Sequence, residues 1–237
     1  LQDNTVKVEK NEVYSGHSEF QIKRLPDSEK MAHRRKVAIY NFIKRILDIF
    51  LSFFGMIFLI PLYAIVALLV IIDSKGPAFF TQTRVGKNGK TFKMYKFRSM
   101  CLDAESQLEE LMHMNERDGP AFNITDDPRV TRMGRIIRRT CIDELPQLLN
   151  VFFGSMSIVG PRPPLPGEVE QYNTYQMRRL DVKPGLTCYW QVSKGENPPF
   201  AEWVQMDLDY IEKRSLWEDL KLIILTFKVI LPGKGSS

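Results

Sequence analysis

The stretch from Ile49 to Ile72, IFLSFFGMIFLIPLYAIVALLVII, holds no ionisable side chain except one tyrosine hydroxyl. As a single helix rising about 1.5 Å per residue it is long enough to cross a bilayer. It lies too far from the N-terminus, and lacks the small-residue cleavage site, for a secretory signal. A buried helix of a soluble protein is the competing reading, but one buried helix rarely needs so long an unbroken apolar run. Arg34, Arg35, Lys36, Lys44 and Arg45 precede the stretch, and Lys75, Arg84, Lys87, Lys90, Lys93, Lys96 and Arg98 follow it. The positive-inside bias therefore draws both ends to the cytoplasmic face. Pro61, near the midpoint, removes a backbone donor and clashes with the preceding turn, so a kink or break is expected there. A re-entrant helix-break-helix over residues 34–73 satisfies both observations better than a straight span.

The remainder reads as a globular domain. With 237 residues, 44% hydrophobic and 26% charged, the chain is large enough for one core plus an appendage. A net charge of +5 favours anionic partners without choosing among phosphorylated ligands, acidic lipids and nucleic acid. Cys101, Cys141 and Cys188 make neither a disulfide framework nor a metal cluster, and His17, His33 and His113 are scattered, so a zinc site is not expected. A nucleic-acid partner is not expected either, because the basic residues come without a recognisable motif or stacking platform.

Read in order, residues 1–33 form a polar arm, residues 74–232 one catalytic-sized unit, and residues 233–237 a tail. PAFFTQTRV and KTFKMYKFRS flank GKNG and predict a β-hairpin. Gly89-Lys90-Thr91 mimics the end of a phosphate-binding loop, but Arg84 stands where that motif needs glycine. Residues 101–117 predict a surface helix with Leu108, Leu111 and Met112 on its apolar side. In DPRVTRMGRIIRRT, Arg129, Arg132, Arg135 and Arg139 would share a helical face, either a phosphate-contacting wall or a solubilising one. A stiff Gly/Pro loop, GSMSIVGPRPPLPGE, is followed by a helix over 168–180, a turn and short strand in KPGLTCYWQVS, and helices near 200–214 and 216–231. The last of these suits either a core or a membrane interface.

The chemistry is expected at Asp143-Glu144. Adjacent carboxylates repel, so the pair is comfortable if exposed, sharing a proton, or bridged by a cation. The plain reading makes Asp143 the N-cap of a helix in which Pro146 occupies the first turn. Against it stand the arginines just upstream, Arg162 in the stiff Gly160–Pro163 loop, and the lysines of KMYKFRSM. These cations with a carboxylate and Mg²⁺ would gather a diphosphate, the usual equipment of phosphoryl transfer.

In order along the chain, KFRSM (96–100), DPRVTRMG (127–134), DELPQL (143–148), SIVGPRP (157–163), KPGLT (183–187) and WQVS (190–193) resemble the bacterial sugar transferase family, the monotopic polyprenol-phosphate phosphoglycosyl transferases. The resemblance covers residues 37–232. It implies a mixed, helix-rich α/β domain on the cytoplasmic face of the bacterial inner membrane, entered by a re-entrant helix broken at Pro61. It implies transfer of a sugar 1-phosphate from a UDP-sugar to undecaprenyl phosphate, releasing UMP and starting an exopolysaccharide, capsule or O-antigen. By the same resemblance Asp143 is the covalent nucleophile, and Glu144 with Asp143 holds Mg²⁺. Arg138, Arg162 and Lys96 bind phosphate; Asp207 and Tyr210 in MDLDY, with Gln191 in WQVS, contact substrate. Membrane lipids, and a second copy of the chain, are the further partners it admits. WQVS is closest to members using galactose or glucose. The chain departs from the family pattern at Ile60, at Cys188-Tyr189 and at Lys194-Gly195-Glu196. Rival readings are a Mg²⁺-dependent phosphohydrolase and a non-catalytic basic scaffold on acidic lipid.

Overall fold

The computed structural model describes residues 27–193 and 198–230. Most of the polar arm, the Lys194-Gly195-Glu196 departure and the tail lie outside the described residues. By its internal contacts the chain divides into two units, residues 1–44 and 45–237. The described part of the first is helical, with Lys44 Nζ 6.0 Å from the centre of the Tyr40 ring one turn before it.

Helix α1, Asp27–Asp73, carries the apolar stretch and contains Pro61. The expected break is not observed: the helix runs through the proline. Proline removes one hydrogen bond, here the donor for the Ile57 carbonyl, and the turns on either side are long enough to hold the helical path. In the second unit, one stripe of α1 is turned inward. Asp48, Ser52, Val66 and Val70 are buried, and Gly55, Leu59 and Tyr63 continue the same three- and four-residue spacing. The opposite side stays apolar and exposed, with Phe50, Phe54, Phe58, Ile65, Leu68 and Ile72 all in the open.

The inward stripe is docked along its whole length. Asp48 Oδ1 accepts from Ser157 Oγ (3.1 Å) and the Ile158 N–H (3.0 Å), Gly55 faces Leu148, and Tyr63 Oη donates to the Leu145 carbonyl at 2.9 Å. Val66 and Val70 close a core cluster with Phe97 and Ile137.

The hairpin forms as expected, strand β1 (Phe79–Val85) pairing antiparallel with β2 (Thr91–Phe97) in the register Phe79↔Phe97 to Val85↔Thr91. The predicted helix over 101–117 is reduced to one turn, α2 (Leu108–Leu111), continued by a 3₁₀ turn at Met112–Met114. With no residue of α2 buried, nothing packs to extend it. Helix α3 (Arg132–Arg139) starts at Thr131, whose Oγ1 accepts from the Gly134 N–H at 2.9 Å. Gly134 is required there, because a Cβ would stand 2.0 Å from the Ser99 carbonyl oxygen.

A 3₁₀ turn (Ile142–Gln147) leads into α4 (Leu148–Phe153) and strand β3 (Ser157–Val159). The helix expected over 168–180 is divided among α5 (Pro166–Val169), α6 (Thr174–Met177) and a 3₁₀ turn at Arg178–Asp181. Strand β4 (Gly185–Thr187) lies parallel to β3 and is followed by the short helix α7 (Tyr189–Val192), so WQVS is mostly helical. Helices α8 (Phe200–Lys213) and α9 (Leu216–Ile230) close the fold where the sequence places them. The core reading of the last helix holds for one side: Leu222 is fully buried with Val159 and Tyr210, while Trp217, Leu220, Ile224 and Phe227 are exposed. The architecture is mixed α/β and helix-rich, with two small sheets rather than one central sheet.

Candidate active site

Asp143 and Glu144 occupy the first turn of the 3₁₀ segment. Asp143 is not an N-cap, which corrects the plain reading above. The residue before the turn is Cys141, in the left-handed conformation at φ 54°, and it reverses the chain between α3 and the turn. The Cys141 N–H donates to the Arg138 carbonyl and the Glu144 N–H to the Cys141 carbonyl (3.0 and 3.3 Å). This bend lets Arg138, near the end of α3, and Asp143 line the same cavity, of about 150 Å³. Cys141 lines it too, rather than facing the core.

Asp143 is only 5% exposed. Burial pushes its carboxyl up to about 6 against the pull of Lys96, with Glu144 adding to the rise. Lys96, the penultimate residue of β2, settles the repulsion between the two acids by reaching Glu144, Nζ to Oε1 2.7 Å. Burial opposes ionisation of Glu144 as well, but Lys96, Arg162 and Arg84 outweigh it and hold that carboxyl below its usual range. One acid is thus a fixed carboxylate, while its neighbour is a more basic, buried carboxylate poised in the cavity.

Another part of the lining comes from the Pro-rich loop. Arg84 is buried on β1 and donates to the Pro163 carbonyl at 3.1 Å, while the Val85 N–H donates to the Pro164 carbonyl at 2.9 Å. Behind the loop, Gly160 and Gly185 pass so closely that a Cβ on Gly185 would meet the Gly160 nitrogen at 2.1 Å. These contacts hold Arg162 in the lining, where its Nη1 stands 3.6 Å from buried Glu168 and its guanidinium 5.4 Å from the Trp203 ring. Arg117 lies over the paired indoles of Trp190 and Trp203, at 5.9 and 5.8 Å. Among the described residues the lining therefore presents five cations (Arg84, Lys96, Arg117, Arg138 and Arg162) against two carboxylates. Such a cavity suits a polyanion.

Of the residues singled out in the sequence, Lys96, Arg138, Asp143, Glu144, Arg162 and Gln191 meet in the lining. Asp207 and Tyr210 do not. Asp207 is buried and pairs with buried Arg179 (Oδ2 to Nη2 2.7 Å), whose guanidinium lies 5.1 Å from Trp203. Tyr210 Oη is 2.8 Å from Asp219 Oδ1 and 3.1 Å from the Val159 carbonyl, just ahead of the Gly160 loop. Both stand behind the wall. The arginine face guessed for α3 is the solvent side: Arg132, Arg135 and Arg139 are exposed, and Arg129 lies outside the helix, paired with buried Asp127 at 2.6 Å.

Sequence reasoning missed Arg84, Arg117 and Gln147. Gln147 ends the turn one residue short of α4, is 3% exposed, and its Nε2 has no hydrogen-bond partner among the described residues while the residue lines the cavity. Its place four residues after Asp143 was the available signal. For Mg²⁺ the donor set fits: two neighbouring carboxylates give hard oxygens, and this ion is usually held by one or two carboxylates plus substrate phosphates. Asp143 and Glu144 are the residues that would hold it. Among the described residues no group of three or more His, Cys, Asp or Glu gathers as a metal cage.

Residues 39–233 match the model of the family described as bacterial sugar transferase. The chain is 47% identical over 194 residues to the galactosyl transferase CpsE of Streptococcus agalactiae, a match covering 81% of this chain and 43% of that one. It is 40% identical over 203 residues to the undecaprenyl-phosphate galactose phosphotransferase of Salmonella typhimurium, covering 83% and 42%. With the exopolysaccharide production protein ExoY of Rhizobium meliloti it shares 35% identity over 197 residues, covering 81% and 87%. The chain thus spans less than half the length of the first two relatives and most of the third.

Proposed function

The chain belongs to the bacterial sugar transferase family, and from that membership we propose that it moves a hexose 1-phosphate from a UDP-sugar to undecaprenyl phosphate on the cytoplasmic face of the inner membrane. The observation that carries the reading is the buried, basic carboxylate of Asp143 in a cavity with five cations. An Asp143 oxygen attacks the β-phosphorus of the donor, and the bond to the oxygen of the α-phosphate breaks, releasing UMP. A phosphate oxygen of the lipid then attacks the same phosphorus. The bond to Asp143 breaks, restoring the carboxylate and giving the lipid diphosphate sugar. Arg138 and Arg162, from two separate segments of the lining, receive the charge on the phosphoryl oxygens, and Lys96 holds Glu144 ionised beside the nucleophile. Bound Mg²⁺ would neutralise part of the diphosphate charge at Asp143 and Glu144.

Galactose or glucose is the proposed sugar, in keeping with WQVS and with relatives named for galactose and for glucose. The first committed step of a surface polysaccharide is the proposed setting, in keeping with the exopolysaccharide relatives.

A monotopic seat is proposed as well. Helix α1 is docked on the catalytic unit from Asp48 to Val70, so a straight crossing would drag that unit into hydrocarbon. An α1 lying along the interface, with both ends on one face, suits the flanking charges. Single cysteines introduced at Lys36 and Lys75 in a variant lacking the native thiols would then be labelled from the same side; labelling from opposite sides would refute the seat.

The reaction is tested with the purified chain in detergent, undecaprenyl phosphate, Mg²⁺ and a panel of UDP-sugars. UMP release should depend on donor identity, stop with a chelator, and leave a phosphosugar adduct on Asp143 when acceptor is withheld. An adduct on another residue would overturn the assignment. Turnover to free sugar phosphate without lipid would point instead to a phosphohydrolase.

A further inference from the structure

A second group of cations lies outside the catalytic cavity. Gly154 ends α4 in the left-handed region (φ 88°), and a Cβ there would stand 3.1 Å from Arg45 Cζ and Nη2 and 3.3 Å from Lys183 Nζ. Two positive side chains therefore meet directly over Gly154, filling the place a side chain there would take. Arg45 has a structural task, its Nη1 and Nη2 donating to the Val151 and Phe152 carbonyls at 2.6 and 2.7 Å and so capping α4. Lys183 has none: among the described residues its half-buried ammonium makes no hydrogen bond or ion pair. Burial and the neighbouring Arg45 lower its proton affinity, with Lys87 adding to the effect. Asp48 opposes them without reversing the direction, leaving one anion against two cations. A half-buried cation beside another cation is a costly arrangement that an anion would relieve.

The surface beside these cations is aromatic. Phe153, 75% exposed, meets Phe152 edge-on with ring centres 5.5 Å apart, and Phe152 lies 6.1 Å from Phe53. Phe53, Phe54 and Phe50 continue the exposed run along α1. Cations flanked by exposed rings are the features of a membrane interface, where phosphate and acyl chain lie one below the other.

We propose that Arg45 and Lys183, where they meet over Gly154, bind the phosphate of an anionic membrane phospholipid, with Phe53, Phe152 and Phe153 against its acyl chains. None of these residues lines the catalytic cavity, so the occupant is a structural lipid distinct from the reacting one. The proposal rests on the monotopic seat described above. It gives the bilayer a specific hold on the junction of α1 and α4, close in sequence to the turn that carries Asp143.

The test uses the full chain with vesicles of phosphatidylcholine alone or mixed with phosphatidylglycerol, and native mass spectrometry of the detergent-solubilised protein. Lys183→Gln is compared with Lys90→Gln, an equal loss of charge in the exposed hairpin turn. Wild type and Lys90→Gln should each retain one phosphatidylglycerol and prefer the anionic vesicles. Lys183→Gln should lose the retained lipid and about fivefold of that preference, with unchanged binding to phosphatidylcholine. Phe153→Gln should weaken retention without changing charge, and millimolar inorganic phosphate should not displace the lipid. Equal losses in the two lysine variants, no loss in Lys183→Gln, or a bare phosphate adduct in place of lipid would overturn the site and leave the seat standing. Failure of the wild type to bind either vesicle would remove the seat and the site together.

Discussion

The two acids show how one sequence dipeptide acquires two different proton affinities. Asp143 is pushed up mainly by burial, while Glu144 is held down by cations that outweigh its own burial. The charge on Asp143 therefore costs stability. Its native carboxyl binds protons more tightly than the unfolded one, so stability falls as pH rises from about 4 through about 6. In metal-free buffer, Asp143→Asn should be more stable than wild type by about 2 kcal/mol at pH 7.5, a gain that shrinks toward zero as pH falls below 4, read from thermal melts. The same variant should release no UMP above background. Gln147→Leu should keep the melting temperature within a few degrees and raise KM for the donor about tenfold, because one buried donor to the substrate is lost. An unchanged KM would remove Gln147 from the site. Of these residues, Asp143, Glu144, Lys96, Arg138 and Arg162 were legible in the sequence because their motifs are local. Arg84 and Arg117 were not, since their places in the lining depend on how distant segments of the chain pack together.

Among the elements, side chains do what backbone ladders usually do. Asn150 on α4 accepts from the Tyr95 N–H (3.0 Å) and donates to the Lys93 carbonyl (2.7 Å), so it pairs with β2 as a third strand would. Asn150→Ala should cost about 2 kcal/mol or more, measured by denaturant unfolding, because both strand groups lose their partner. Asp207→Ala should cost about 3–5 kcal/mol by leaving Arg179 charged and unpaired in the core. A loss of donor affinity with full stability would instead return Asp207 to the substrate. Hairpin and terminal helices could be read from periodicity, because each has a partner for a whole face. Residues 101–117 and 168–180 could not: their helical patterns lack a continuous buried face, and they break into single turns. The Asp143 turn was misread as a helix start because the reversal depends on a left-handed Cys141, a conformation that its residue type does not announce.

For the whole molecule, the apolar run of α1 has two faces in different surroundings. Its inward stripe is protein core and its outward face is the exposed apolar side. Phe58→Asp, at a position 83% exposed, should leave the melt unchanged and release the protein from vesicles, whereas Val66→Asp should unfold it, as monitored by circular dichroism and flotation. Composition alone announced the run, but not this division of labour, because both sides are largely apolar and the inward one is marked mainly by Asp48 and Tyr63, whose partners lie far along the chain.

The bond from Tyr63 Oη to the Leu145 carbonyl joins the long apolar helix to the very bend that presents Asp143. On the proposed seat, the height of Asp143 above the hydrocarbon would thereby be set like the needle of a fixed gauge. A water-borne sugar nucleotide would arrive from above and a greasy acceptor from the side, and the finished conjugate would leave sideways without ever rising from its leaflet.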